Sequence, residues 1–186
     1  MARWLRNTYE RIFKDGSGKM KLCRGKVHDY LGINLGYTLK GEVKITMIPY
    51  IKEMIQDFSE HDPNPDKKEN TPAAEFIFKV DEKSRLIDDS RSKVFHTFVS
   101  KALFATKKSR PDIHTAVAFL TTRVRGPNKD YWKKLLRLMQ YLGDTAEILL
   151  TLRANGTNIF QWWFDGLYAV HPDMHSQTSG TMLLVM

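Results

Sequence analysis

Apolar residues recur with a helical period through the middle of the chain. Val94, Phe95, Phe98, Val99, Ala102 and Leu103 follow i, i+4 spacing, which lines one face of a 3.6-residue helix. Ile113, Ala116, Val117, Leu120 and Val124 repeat the pattern, as do Tyr131, Trp132, Leu135, Leu138, Met139 and Leu142. Lys129, Lys133 and Arg137 fall on the far side of that third stripe. The breaks carry start and stop signals. Ser109-Arg110-Pro111-Asp112 offers a capping hydroxyl, an early proline and an acid, all favourable at a helix start. Gly126-Pro127-Asn128 ends the second helix and offers an Asn cap to the third. Three such stripes between Ser90 and Leu142 are expected to bury against each other as a small bundle.

The flanking pattern is mixed. Residues 2–13 place Trp4, Leu5, Thr8, Tyr9 and Ile12 on one helical face, with Arg3, Arg6 and Arg11 opposite. Asp15-Gly16-Ser17-Gly18 reads as a turn. Lys19 to Gly25 and Lys26 to Thr38 read as strands, Lys40-Gly41 as a hairpin turn, and Glu42 to Met47 as an alternating return strand. Pro49 opens a helix through Phe58 that buries Ile48, Ile51, Ile55 and Phe58. His61 to Thr71 has two prolines, charges and no periodicity, as a linker does. Pro72 to Val80 is a short apolar anchor. After the helices, Gly143-Asp144-Thr145 reads as a turn, and Ile148–Leu152 and Ile159–Phe164 as strands joined by a hairpin at Asn155-Gly156. Thr181 to Val185 supplies a third strand.

Composition narrows the class. The 186 residues are 42% hydrophobic and 27% charged, a globular balance with enough chain for a core. One cysteine, Cys23, excludes an internal disulfide framework and a cysteine-based zinc cluster. No apolar run approaches the ~20 residues that span a bilayer, and the start, Met-Ala-Arg-Trp-Leu-Arg, lacks the apolar core of a secretory signal.

The formal net charge of +8 is unevenly distributed. Residues 1–48 hold ten Lys/Arg against four Asp/Glu, residues 49–90 six against eleven, and residues 101–145 ten against three. Two basic blocks flanking an acidic one suit a groove that faces a polyanion, or a solvated basic surface.

Candidate chemistry is sparse. Asp165 follows the apolar-aromatic run Phe160-Gln161-Trp162-Trp163-Phe164, a rigid place for a metal-binding carboxylate but also for a turn-capping one. His171 and His175 stand four apart around Pro172, which argues for a surface loop over a helical metal site. His28-Asp29 lies in a strand whose neighbours face opposite ways, and His96 and His114 are ordinary surface residues. Cys23 beside Arg24 is expected to be a half-buried structural thiol. The third helix carries Lys129, Lys133, Lys134 and Arg137 beside Tyr131 and Trp132. The lysines and arginine suit contact with phosphate backbone, while the two aromatics are expected in the core.

The order of the pieces is itself informative. Tyr30-Leu31-Gly32-Ile33, a hairpin, Tyr50-Ile51, Thr71-Pro72, Arg110-Pro111-Asp112-Ile113, Tyr141-Leu142-Gly143-Asp144-Thr145, Asp165 and Thr178-Ser179-Gly180 follow in sequence. Together, from about Val27 to the end, they resemble the segment joining reverse transcriptase to RNase H in copia-type (pseudovirus) retrotransposon polyproteins.

The resemblance implies an α+β chain: an N-terminal helix and β-hairpin, a central three-helix thumb-like bundle, and an incomplete RNase H-like antiparallel sheet. Residues 1–70 would be the palm edge and first thumb helix, 71–145 the thumb and connection, and 146–186 the RNase H strands. The parent function would be RNA-directed DNA synthesis with Mg2+. The partners implied are a template–primer or hybrid duplex and the rest of the polyprotein, with no membrane, in cytoplasmic virus-like particles or the nucleus. Lys44, Lys107, Lys108, Arg110, Lys129, Lys133, Lys134 and Arg137 are the expected backbone-binding set. Asp165 would match the first RNase H carboxylate and metal ligand, and Ser179-Gly180 the turn before the next strand.

The chain also departs from the family pattern. The polymerase aspartate pair would lie upstream of Met1, since Asp88-Asp89 falls in a connector. The second copia-type aspartate, due two residues after Asp165, is Leu167, and the helix bearing the RNase H glutamate would lie beyond Met186. Two-metal chemistry needs several converging carboxylates. The expectation is therefore neither polymerase nor RNase H activity, and no cofactor, for this chain alone.

Overall fold

Helix-capping side chains set where the central helices begin. The computed structural model describes residues 2–13, 23–62, 68–75, 77–81, 83–153, 159–168 and 176–185. Its helices are α1 (Ala2–Ile12), α2 (Ile48–Ser59), α3 (Asp89–Lys108), α4 (His114–Thr121) and α5 (Lys129–Asp144). The Asp88 carboxylate accepts from the Arg91 N–H at 2.9 Å, and Asn128 Oδ1 accepts from the Tyr131 N–H at 2.9 Å. Each satisfies an orphan donor at its helix start. Asp88 is thus a cap and not a connector residue. Ser109 does not cap. Its hydroxyl is buried without a hydrogen-bond partner among the described residues, and Arg110 takes the N-cap position of a short 3-10 turn, Pro111–Ile113, that leads into α4. α4 stops at Thr121, short of Val124, whereas α5 runs on through Gly143 to Asp144, where a turn was expected.

The buried stripes meet as expected and gain a fourth member. Phe95, Phe98, Val99 and Ala102 of α3, Ala116, Val117, Phe119 and Leu120 of α4, and Trp132, Leu135, Leu138, Met139 and Leu142 of α5 share one core. Ile51, Met54 and Phe58 of α2 complete it. The Phe58 ring meets Phe98 edge-on at 5.0 Å and stacks on Trp132 at 5.8 Å. Each fully buried side chain of this size contributes roughly 1.5–3 kcal/mol. α3 and α5 run in the same direction. Arg91 near the start of α3 lies 4.9 Å from the Trp132 ring near the start of α5, and Arg110 just past α3 bonds Thr145 just past α5.

The strands are β1 (Val27–Tyr30), β2 (Ile33–Gly36), β3 (Glu42–Thr46), β4 (Leu150–Arg153), β5 (Ile159–Leu167) and β6 (Gln177–Val185). The expected strand Lys26–Thr38 is two strands folded at Leu31-Gly32, both at positive φ (49° and 74°), with Tyr30 opposite Ile33. That is the backbone of a two-residue hairpin turn. β1, β2, β3 and β4 form one antiparallel sheet in that order.

β4 does not pair with β5. It adds to the open edge of β3, with Ile45 opposite Leu150 and Glu42 opposite Arg153, whose guanidinium holds the buried Glu42 carboxylate at 2.6 Å. β5 pairs instead with β6 over nine residues. Ser179 and Gly180 lie inside β6, opposite Asp165 and Phe164, and not in a turn.

α1 forms where expected, but Trp4, Tyr9, Ile12 and Phe13 stay exposed. Cys23 is exposed, not half-buried. The turn at Asp15–Gly18, the start of the strand Lys19–Gly25, part of the linker (63–67), Asn155-Gly156 and His171–His175 lie outside the described residues, and Cys23–Gly25 form no strand.

Candidate nucleic-acid interface

The cations expected to contact phosphate divide into three groups. The first is exposed and makes no ion pair among the described residues. Lys107 and Lys108 end α3, opposite buried Ala102 and Ala105, with the Lys108 ammonium 5.9 Å from the Phe104 ring. Lys129 and Lys133 stand on the first turns of α5, opposite the buried face of Tyr131, Trp132 and Leu135. Because α3 and α5 are parallel, the two pairs occupy opposite ends of the bundle. A helical rise of about 1.5 Å per residue separates them by roughly 15–20 Å along the axis.

The second group is exposed only in part and is tied down. Lys134 pairs with Asp130 at 3.0 Å, donates to the Lys79 carbonyl, and lies 4.8 Å from the Phe119 ring. Arg137 pairs with Glu69 at 2.7 Å and donates to Thr71 Oγ1 at 3.0 Å. Part of the acidic stretch between the two basic blocks therefore lies against one of them, and Glu69, Ala73, Ala74, Ile77 and Val80 line a cleft of about 750 Å³ with α5. Lys44, on β3, is 43% exposed and 3.8 Å from Glu42.

Arg110 forms the third group and corrects the expectation. It is 0% exposed and turned inward. Nε and Nη2 donate to the Asp112 carboxylate at 2.9 and 2.7 Å, while Nη1 and Nη2 donate to the Thr145 carbonyl and hydroxyl at 2.9 and 2.7 Å. A buried guanidinium must find such partners, because leaving its donors dry is costly. It presents nothing to a phosphate. The Tyr141 hydroxyl donates to Asp112 at 2.9 Å.

Two titrations follow from this cluster. Burial alone would raise the Asp112 carboxyl, but the hydrogen bonds and charge of Arg110, with the Tyr141 hydroxyl, hold it below its ordinary value. Burial, then the Asp112 carboxylate, push the Tyr141 phenol up. Asp112, Tyr141 and Thr145 were missed as partners of Arg110. The available signal was that Arg110-Pro111-Asp112 and Tyr141-Leu142-Gly143-Asp144-Thr145 stand out as separate motifs, and the fold brings them into one network.

Asp165 is exposed on β5, opposite Ser179. Among the described residues no three His, Cys, Asp or Glu side chains converge on one point. A lone carboxylate does not fit Mg2+, which needs several fixed oxygen donors. His28, on β1, contacts the Gly25 carbonyl at 2.9 Å; His96 is exposed and His114 half-buried. No described helix is long and apolar enough to cross a membrane.

No family model and no solved structure matches the chain. Over 161 residues it is 24% identical to a putative transposon Ty5-1 protein of Saccharomyces cerevisiae. That match takes in 87% of this chain and 51% of the yeast protein, so the chain spans about half the length of the curated relative it matches. The similarity supports a retrotransposon-derived protein.

Proposed function

We propose that the chain is a template–primer-gripping piece of a copia-type reverse transcriptase–RNase H polyprotein. It holds nucleic-acid backbone and leaves the metal-dependent chemistry to centres it does not contain. The observation that carries this reading is the set of exposed cations, Lys107, Lys108, Lys129 and Lys133, mounted without ion-pair partners among the described residues at two ends of one helical core. Their separation suits a backbone tracked over several nucleotides, and lysine contacts of this kind bind without reading bases. The transposon relative supports the retroelement origin in this reading, and the grip on nucleic acid rests on the lysines alone.

The test is a salt-titrated binding assay on an RNA–DNA hybrid. The chain binds with an affinity that falls log-linearly with salt, and K107A/K108A/K129A/K133A flattens the slope by roughly 0.9 for each phosphate no longer neutralised. Equal binding by the variant, or no binding by the wild-type chain, overturns the reading. Primer extension or hybrid cleavage by the purified chain overturns the division of labour.

A further inference from the structure

Lys129, Lys133 and Arg137 stand at i, i+4 and i+8 on α5, one stripe with about 6 Å between successive positions along the axis. The first two are open to solvent and the third only in part. Glu69 sets its carboxylate on the Arg137 guanidinium at 2.7 Å, from a chain segment packed across the helix. The segment has other ties. The Glu69 N–H donates to Asp144 Oδ2 at 3.2 Å, Thr71 accepts from Arg137, and the Lys79 carbonyl accepts from Lys134. The Glu69 carboxylate is therefore not the segment's only anchor. Its chemistry is that of a phosphate oxygen: an anionic acceptor facing a guanidinium.

We infer that Glu69 is a built-in competitor for nucleic-acid phosphate, holding the third cation of the α5 stripe out of the interface even when the hybrid is bound. The inference rests on the backbone-binding reading above and adds its regulation. A resident carboxylate lowers affinity for any duplex, and most for weakly bound ones. Lys129 and Lys133 therefore engage phosphate in the wild-type chain, and Arg137 joins them only once the Glu69 charge is removed.

The test uses the full chain and the same RNA–DNA hybrid. Glu69→Gln removes the charge while keeping shape. It is expected to tighten binding about two- to fivefold at low salt and to steepen the salt slope by roughly 0.9, one added phosphate contact. Thr71→Val cuts another tie of the segment and leaves the slope unchanged. Arg137→Gln, with Glu69 present, also leaves it unchanged, whereas Lys133→Ala flattens it by roughly 0.9. The Arg137→Gln result stands even if the Glu69 variant misfolds.

Wild-type slope and affinity in Glu69→Gln, equal steepening in Thr71→Val, or flattening in Arg137→Gln each overturns the inference while leaving the binding reading in place. No hybrid binding by the wild-type chain sinks both.

Discussion

Arg110 donates to both the carbonyl and the hydroxyl of Thr145, at 2.9 and 2.7 Å, joining the end of α3 to the end of α5 across 35 residues of sequence. The contact fixes the parallel setting of the two helices that carry the exposed lysines. Only the guanidinium side of this network is buried, and its removal forfeits four charge-assisted hydrogen bonds. The Asp112 carboxylate left behind reaches solvent, 31% exposed, so Arg110→Met is expected to destabilise the chain by about 1–3 kcal/mol in urea unfolding, the cost of the lost charged hydrogen bonds. Arg110→Lys does not restore it, because an ammonium cannot span Asp112 and Thr145 with a planar fork.

Acid sensitivity follows from the partner carboxylate. The Asp112 carboxyl titrates below its ordinary value in the folded chain. Its contribution is therefore present above the unfolded value, near 3.9, and is lost as pH falls through the lower folded one. Asp112→Asn is expected to flatten the fall in unfolding free energy below about pH 4. An unchanged acid profile in that variant removes the Arg110–Asp112 pair from this account.

The turn between β1 and β2 offers a stabilising change. Leu31 holds φ 49° with its side chain 67% exposed. The left-handed conformation costs a branched aliphatic residue roughly 1–2 kcal/mol, and asparagine adopts it more readily. Leu31→Asn gives the turn an Asn-Gly pair and is expected to raise stability by about 1 kcal/mol. A lower urea midpoint would show that the exposed leucine makes a contact worth more than the strain.

α2 belongs energetically with the helices that follow it. Phe58 is fully buried between Phe98 and Trp132. Phe58→Ala is expected to cost about 3–5 kcal/mol. With Trp132→Ala the double variant should lose less than the sum, because each vacates space the other lines. Strict additivity would mean the stack carries no coupling.

The helical half of the chain was legible because one force dominates it. Each stripe from Phe95 to Leu142 has the period of the helix it forms, and Asn128 caps where the sequence places it. What was not legible depends on contacts distant in sequence. Nothing near Leu31-Gly32 announces a turn, since leucine is a poor residue for positive φ, and the split strand is visible only once β2 pairs with β3. Asn155-Gly156 argued for a local hairpin, but the open edge of β3 claimed β4. Arg110, Lys134 and Arg137 look identical to the exposed lysines in sequence. Their partners, Thr145, Lys79 and Glu69, lie 35, 55 and 68 positions away.

The β3–β4 ladder sets a timetable for synthesis. Glu42 emerges from the ribosome early and Arg153, its partner, late, which at ordinary elongation rates is an interval on the order of 10 s. Through that interval the nascent chain carries a three-stranded ribbon with an unsatisfied backbone row, and Glu42 lacks Arg153. Such a rim is a template for other nascent strands, so premature termination before residue 150 should yield aggregating material, and termination after 153 should not.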